Sequence, residues 1–189
     1  QMCIRDRALR PLFRKIMPEV PADSPAMGSM IMNIAANVLG LDNAATPMGL
    51  KAMEQLQTLN PHKDRASDAQ ILFMVINSSA VTLIPITILM YRSELGAANP
   101  SAVFMPILFA TSLSTLAGFL AVAVVQRLNV FNRVVMAYLG GFILFIGVVA
   151  FYFCSLPETE RLSVSANCGN FLLFAVIVAF IAVSYTHLT

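Results

Sequence analysis

The sequence predicts an all-α, polytopic transmembrane protein that contains a re-entrant, broken pair of helices. Of its 189 residues, 58% are hydrophobic and 12% are charged, about half the charged fraction of a soluble globular domain. No charged residue occurs in residues 69–91, 95–126 or 134–157, and each gap is long enough to cross a bilayer. The break is indicated by residues 27–50, an apolar stretch interrupted by asparagines.

The first elements are predicted as short helices. Residues 8–17 alternate apolar with basic side chains before a proline-rich turn, which is typical of the basic end of a helix or of an interfacial helix. Asp23 or Ser24 followed by Pro25 is a favourable helix start. Gly40 is a favourable end, so this helix is expected to run to about residue 39.

A second short helix is predicted after a polar elbow. Thr46 followed by Pro47 repeats the start signal, and Asn60 followed by Pro61 predicts the end. The pair, over residues 27–57, is interpreted as re-entrant.

Three full spans are expected at residues 70–91, 102–125 and 134–153, and a fourth begins at Asn170. The first span contains a second polar break followed by a proline. The second carries small residues, including Thr111, Thr115 and Gly118, that allow helices to approach closely.

The basic residues predict an orientation. Basic clusters lie in residues 10–15 and 51–65, and the loop 126–133 is also basic. The positive-inside rule places these segments in the cytoplasm and the loops 92–101 and 155–169 outside. Both early clusters are cytoplasmic only if the segment between them enters and leaves on one side, which favours re-entry.

Asn33 and Asn37 are one helical turn apart and share a face. They are candidate donors and acceptors for a polar solute, such as the ribose or base of a nucleoside. The alternative is that they hold helices together inside the membrane, as asparagine commonly does. The sequence leaves both interpretations open.

The elbow supplies further candidates. Asn43 and Thr46 flank the start of the second short helix, where free N–H groups could hold an anion or a carbonyl oxygen; simple capping is the alternative for each. Asp42 suggests coupling to a proton or cation, but a position at the water interface is the preferred interpretation. Gly40 and Pro47 are expected to act as kinks or in gating.

The second break is expected to line the opposite wall of the same cavity. Its candidates are Asn77, Ser78 and Thr82, and Pro85 is expected to kink or loosen the helix for gating. Local hydrogen bonds to the helix's own carbonyls are the alternative for the hydroxyls. Two separate segments with such breaks favour the cavity.

Other functions find no support in the sequence. It has no P-loop, nucleophile elbow, metal-binding cluster or paired carboxylates within its hydrophobic body, so no enzyme activity, metal or cofactor is expected. The net charge of +2 is too small to suggest nucleic acid. Cys154 and Cys168 are expected to be thiols, although their predicted positions would allow a disulfide.

The motifs NxxANxLGLxNAATPxGLKAM at residues 33–53 and NSSxVTLIP at residues 77–85 resemble the nucleoside-recognition "Gate" domain family, and within it the spore maturation proteins of the A/B type. The resemblance covers residues 8–127, an A-like half that lacks its first helices. Residues 128–183 resemble the transmembrane linker and the start of a B-like half. Residues 1–7 and 184–189 resemble translated adaptor sequence and are interpreted as assembly artefacts.

This resemblance implies a multi-pass protein of the bacterial inner membrane that forms or gates a path for a nucleoside-like solute. The implied partners are membrane lipid and the B-like half, in the same chain or as a subunit, and a homo-oligomer is compatible with them. The alternative function is a non-transporting membrane assembly protein that acts with the B half, in spore-core dehydration or in the envelope.

Overall fold

A computed structural model describes residues 11–79 and 81–186, and this part of the chain is helical, with no strand. The predicted all-α class is therefore confirmed. Residues 1–7, which the sequence analysis interprets as an assembly artefact, lie outside the described range, as do residues 187–189. The helices in chain order are α1 (residues 11–16 of the described range), α2 (Pro25–Val38), α3 (Asp42–Leu59), α4 (Asp68–Ser78), α5 (Ile86–Glu94), α6 (Phe104–Val125), α7 (Arg133–Ser155) and α8 (Glu158–Thr186). A 3-10 turn at Pro100–Val103 leads into α6.

Helix α2 begins and ends as the sequence predicts. The Ser24 side chain accepts a hydrogen bond from the Met27 N–H at 3.4 Å, and Pro25 occupies the first turn, where its missing N–H costs least. Gly40 follows the helix with φ of +67°, a left-handed conformation that L-residues with a side chain adopt only under strain. The chain therefore reverses there and packs α3 along α2.

Helix α3 begins four residues earlier than predicted. The Leu41 carbonyl accepts hydrogen bonds from the N–H groups of Ala44 and Ala45, each at 2.9 Å, so the first turn closes before Thr46 is reached. The predicted start at Thr46 is wrong, and Pro47 lies inside the helix. Its missing N–H falls in the second turn, where the loss is confined to one helical hydrogen bond.

A buried amide network joins the end of α3 to the start of α4. Gln70 is 5% exposed; its Oε1 accepts from Asn60 Nδ2 at 3.1 Å and from the Ser67 N–H at 2.8 Å. Its Nε2 donates to Gln57 Oε1 at 2.9 Å. Since the Ser67 side chain also caps α4, side-chain hydrogen bonds fix the connector in addition to its covalent links to α3 and α4.

The span predicted for residues 70–91 is not one helix. Helix α4 ends at Ser78 and α5 begins at Ile86, with non-helical residues in the described parts of 79–85. The predicted polar break is therefore present, but it interrupts the span completely. Pro85 accounts for part of this, because its ring disfavours a helical conformation in Ile84 and it lacks an N–H.

Three helices of the described chain are long and apolar enough to cross a membrane: Pro100–Val125, Arg133–Ser155 and Glu158–Val178. The first two correspond to predicted spans. The third corrects the prediction, because the loop expected up to residue 169 is helical from Glu158 onward. The turn before α8 is consequently only a few residues long.

Contacts between the helices identify the two ends of the bundle. At one end, Gln126 Nε2 donates to the Asp68 carbonyl at 2.9 Å, so the connector before α4 and the turn after α6 lie together. The charge pattern predicts the same side of the membrane for these two segments. At the other end, the Ser165 hydroxyl of α8 donates to the Ala102 carbonyl at 2.7 Å.

The main hydrophobic core lies at the first of these ends, between α1, α2, α3 and α4. Met30, Leu72 and Phe73 are at most 1% exposed there. A smaller cluster around Phe104 and Leu108 connects α6 to α7 and α8. Cys154 and Cys168 are free thiols, as predicted.

Candidate functional site

Three asparagine side chains from two helices meet at one point. Asn37 Nδ2 on α2 donates to Asn33 Oδ1 on the same helix at 3.3 Å and also to Asn77 Oδ1 on α4. Asn33 Nδ2 donates to the Ala45 carbonyl of α3 at 2.8 Å. Amide side chains thus connect the two short helices of the elbow to the helix that carries the second break.

Gly49 allows this approach. A Cβ atom at that position would lie 2.9 Å from Asn33 Nδ2 and 3.7 Å from Asn77 Nδ2, and the first distance is shorter than real Cβ contacts. Any side chain on this face of α3 would therefore displace Asn33. The glycine belongs to the site although it contributes no polar group.

The three asparagines border a cleft of ≈ 250 Å³ between α2, α3 and α4. Among the described residues, its other walls are apolar or neutral and carry no charged side chain; they are formed by Ala45, Thr46, Gly49, Leu50, Met53, Phe73 and Met74. Asn33 is 1% exposed, whereas Asn37 and Asn77 are half-buried. The Asn77 Nδ2 group donates no hydrogen bond to the described part of the chain, so the cleft offers a neutral amide donor.

Two helix breaks cross directly beside this cleft. The first is the turn at residues 39–41 between α2 and α3, and the second is the segment 79–85 between α4 and α5, in its described residues. The Leu83 N–H of the second break donates to the Val38 carbonyl at the end of α2, at 2.9 Å. At Gly40, a Cβ atom would lie 2.0 Å from the carbonyl oxygen of Ile84, which no side chain can accommodate without a backbone shift. The crossing therefore requires glycine at residue 40 for its space as well as for its φ.

Hydroxyls of α6 satisfy backbone groups that the second break leaves without helical partners. Thr115 Oγ1 donates to the Ser79 carbonyl, and Thr111 Oγ1 accepts from the Thr82 N–H at 3.4 Å. Unsatisfied backbone groups at membrane depth cost several kcal/mol each, so α6 supports the break. The sequence predicted only close helix packing for Thr111 and Thr115. Their spacing of one helical turn was the sequence signal that could have indicated two hydroxyls on one face of α6, aligned with the second break.

Not all predicted site residues reach the cleft. Thr46 lies at its edge, but Asn43 and Ser78 are exposed and do not line it. Thr82 and Pro85 border a separate cavity of ≈ 160 Å³ that Gly40 also lines. The residues predicted to line a single cavity therefore lie at two cavities, which share no lining residue.

Chemically, the amide groups of the cleft are suited to hydrogen bonding with a polar molecule. Among the described residues, no group of three His, Cys, Asp or Glu side chains is placed to hold a metal ion. Amide donors and acceptors beside apolar walls can orient a neutral polar molecule by hydrogen bonds while its less polar faces contact Met53 and Phe73.

A chain whose described part is all helical, with three helices of membrane-spanning length and two crossing helix breaks, is a polytopic helical membrane protein. Comparison with known proteins makes this more specific. The chain is similar to "Spore maturation protein A" of Bacillus subtilis (strain 168), with 42% identity over 111 residues that cover 59% of this chain and 57% of the relative. This confirms the resemblance to spore maturation proteins predicted from the motifs.

The chain spans just over half the length of that curated relative. No protein-family model matches the chain. No solved structure matches it either.

Proposed function

We propose that the chain is part of a multi-pass protein of the bacterial inner membrane that binds a small, neutral, nucleoside-like solute in the amide cleft and gates its passage. One observation carries the proposal: Asn33, Asn37 and Asn77, from two separate helices, converge on a cleft beside the crossing of two helix breaks. Interrupted helices at membrane depth commonly mark solute sites, because they expose backbone groups that a continuous helix hides.

The chemistry of the cleft supports a neutral solute. Asparagine offers both a carbonyl acceptor and an amide donor, and a nucleoside carries both kinds of group on its base and its ribose. The available Asn77 Nδ2 donor faces no charged neighbour in the cleft lining. An anionic or cationic solute would have to lose its hydration without a compensating charge, which is costly in a membrane interior.

The crossing supports a gating role. Gly40 and Ile84 are in direct contact there, and Pro85 lies beside them. The amide cleft and the smaller cavity near Thr82 share no lining residue, and Gly40 of this contact lines the smaller cavity. A small separation of the two breaks would join them, and the residues on both sides are neutral and partly polar.

The relative's name connects it with spore maturation. We extend a membrane role in that process, or a more general envelope role, to the longer protein that includes this chain. In line with the resemblance to the Gate domain family, we propose that a B-like half acts with it.

Uptake of labelled nucleosides into proteoliposomes tests the proposal. Saturable uptake is expected for the chain reconstituted with the B-like half, and its loss is expected in Asn77→Leu, which keeps the size of the side chain but removes its amide. Asn129→Leu is the matched control, since Asn129 is exposed in the turn before α7. No uptake by the unmodified chain with the B-like half, or equal uptake by the Asn77→Leu and Asn129→Leu variants, would contradict a solute path at the cleft.

A second candidate function is a non-transporting assembly partner in the membrane. It is favoured by Asn33, which is 1% exposed and already donates to the Ala45 carbonyl, as expected of a purely structural asparagine. In that case Asn77→Leu would weaken association with the B-like half, measured by co-purification, and no nucleoside would bind. Intact association together with lost uptake would favour transport.

A further inference from the structure

A second cleft of the described chain is apolar, and the proposed function does not use it. It has a volume of ≈ 270 Å³ and lies between α1, α2, α4, α6 and α7. Ile34 and Ile76 form its inner wall, and they are sequence neighbours of Asn33 and Asn77. Helices α2 and α4 therefore separate a polar cleft on one side from an apolar cleft on the other.

The depth of this apolar cleft corresponds to one leaflet of a membrane. On α7 its lining runs from Val135 to Phe142, so it ends nine residues after the helix start at Arg133. At 1.5 Å per residue this is a depth of about 14 Å, close to half of the roughly 30 Å hydrocarbon core. On α6 the lining residues, Phe119 to Thr115, lie six to ten residues before the helix end at Val125, so the inner end of the cleft is at a similar depth of about 15 Å on this helix.

The cleft is narrow. A volume of ≈ 270 Å³ spread over the roughly 10.5 Å from Val135 to Phe142 leaves a mean cross-section of roughly 26 Å², whereas a helix with its side chains is 10–12 Å wide. An extended hydrocarbon chain therefore fits inside the cleft, while a transmembrane helix could only cover it.

The end of the bundle at which the cleft begins is basic. The helices and turn that form its outer walls carry Arg14, Lys15, Arg127 and Arg133, all of them exposed. No acidic residue occurs in residues 11–16 or 104–155; acidic residues in or near the lining helices include Asp68, the first residue of α4, Asp23, two residues before α2, and Glu19, three residues after α1. Long basic side chains at a helix end reach towards the headgroup region.

We propose that this cleft holds one acyl chain of an anionic phospholipid of the basic leaflet, with the phosphate group near Arg127 and Arg133. The apolar walls and their one-leaflet depth match the chain, and the cationic rim matches the headgroup. This inference does not depend on the proposed transport of a solute.

Native mass spectrometry of the purified chain tests the lipid site. After incubation with equimolar phosphatidylglycerol and phosphatidylcholine in mild detergent, preferential retention of one phosphatidylglycerol is expected. Leu139→Trp should fill the cleft and abolish the adduct, whereas Leu144→Trp should retain it, because Leu144 lies on the same helix but is 68% exposed and outside the lining. Arg127→Gln and Arg133→Gln should each lower the preference for the anionic lipid by about fivefold.

A photoactivatable phosphatidylglycerol provides a second measurement that needs no variant. Crosslinks are expected in residues 115–119 and 135–142, and unlabelled phosphatidylglycerol should compete more strongly than phosphatidylcholine. Equal retention of the two lipids, or crosslinks spread evenly over residues 133–155, would overturn the site and indicate ordinary boundary lipid. Protection of both segments by a second copy of the chain, or by a protein partner without bound lipid, would also overturn it.

Discussion

Replacing Gly40 with alanine perturbs the crossing of the two helix breaks at its tightest point. The residue has φ of +67°, and an added Cβ atom would lie 2.0 Å from the Ile84 carbonyl oxygen. Two separate costs are therefore expected. The left-handed conformation strains any L-residue with a side chain, and the added methyl group forces the second break away from the end of α2.

The structure allows these costs to be separated. The conformational strain is about 1–2 kcal/mol, and overpacking against a backbone atom typically adds about 1–3 kcal/mol. The lower conformational entropy of the unfolded Gly40→Ala chain offsets about 0.4–1 kcal/mol of this destabilisation. The free energy of unfolding should therefore fall by roughly 1–4 kcal/mol, with the larger part coming from the contact with Ile84.

Gly96→Ala is the matched control, because Gly96 also has a positive φ, of +75°, but no atom lies within 4 Å of the place that its added methyl group would occupy. The free energy of unfolding of Gly96→Ala should therefore fall only by the cost of the left-handed conformation. Denaturant unfolding in detergent, followed by circular dichroism, measures both variants. A destabilisation of Gly40→Ala that exceeds that of Gly96→Ala by about 1–3 kcal/mol is expected; equal losses would refute the close crossing.

Three further predictions concern the surroundings of the site. Gly49→Ala should destabilise the protein by about 1–3 kcal/mol, because its Cβ atom would displace Asn33, as measured by unfolding in detergent. Thr115→Val should cost about 1–2 kcal/mol by removing the donor to the Ser79 carbonyl, and hydrogen exchange should accelerate in residues 79–85. Gln70→Leu should cost about 2–3 kcal/mol through the lost amide network, with faster exchange in residues 60–67.

Each of these predictions has a control of the same kind. Gly28→Ala lies in α2 with no atom within 4 Å of the added methyl group and should be neutral or stabilising. Thr58→Val removes only an exposed local hydrogen bond. Gln55→Leu removes an amide whose Oε1 has no hydrogen-bond partner in the described chain. If a site variant behaves like its control, the corresponding contact does not stabilise the fold.

Local sequence signals predicted most of the elbow. Ser24, Pro25 and Gly40 fix the ends of α2 through capping and backbone conformation, which are properties of a few neighbouring residues. The class of fold followed from long charge-free segments. The polar break before Pro85 was also visible, because proline removes an N–H and restricts the preceding residue.

The remaining features depend on contacts between distant segments. The start of α3 was misplaced because Thr46 and Pro47 satisfy the local rules for a helix start, while the Leu41 carbonyl closes an earlier turn. The support of the second break by Thr111 and Thr115 requires knowing that α6 lies beside it. Likewise, the close contact of Gly40 with the second break depends on how α2 lies against a segment more than 40 residues away in the sequence.

The central claim is tested most directly by whether water and solute reach the amide cleft. Met74 lines the cleft and is 55% exposed, so in a chain whose three cysteines are replaced by serine, Met74→Cys should react with a charged, membrane-impermeant thiol reagent. Saturating nucleoside should slow that reaction, and Leu144→Cys, on the apolar helix α7, should remain unreactive in the bilayer. A Met74→Cys thiol that does not react, or that reacts at the same rate with and without nucleoside, would contradict the assignment of the cleft as a solute site.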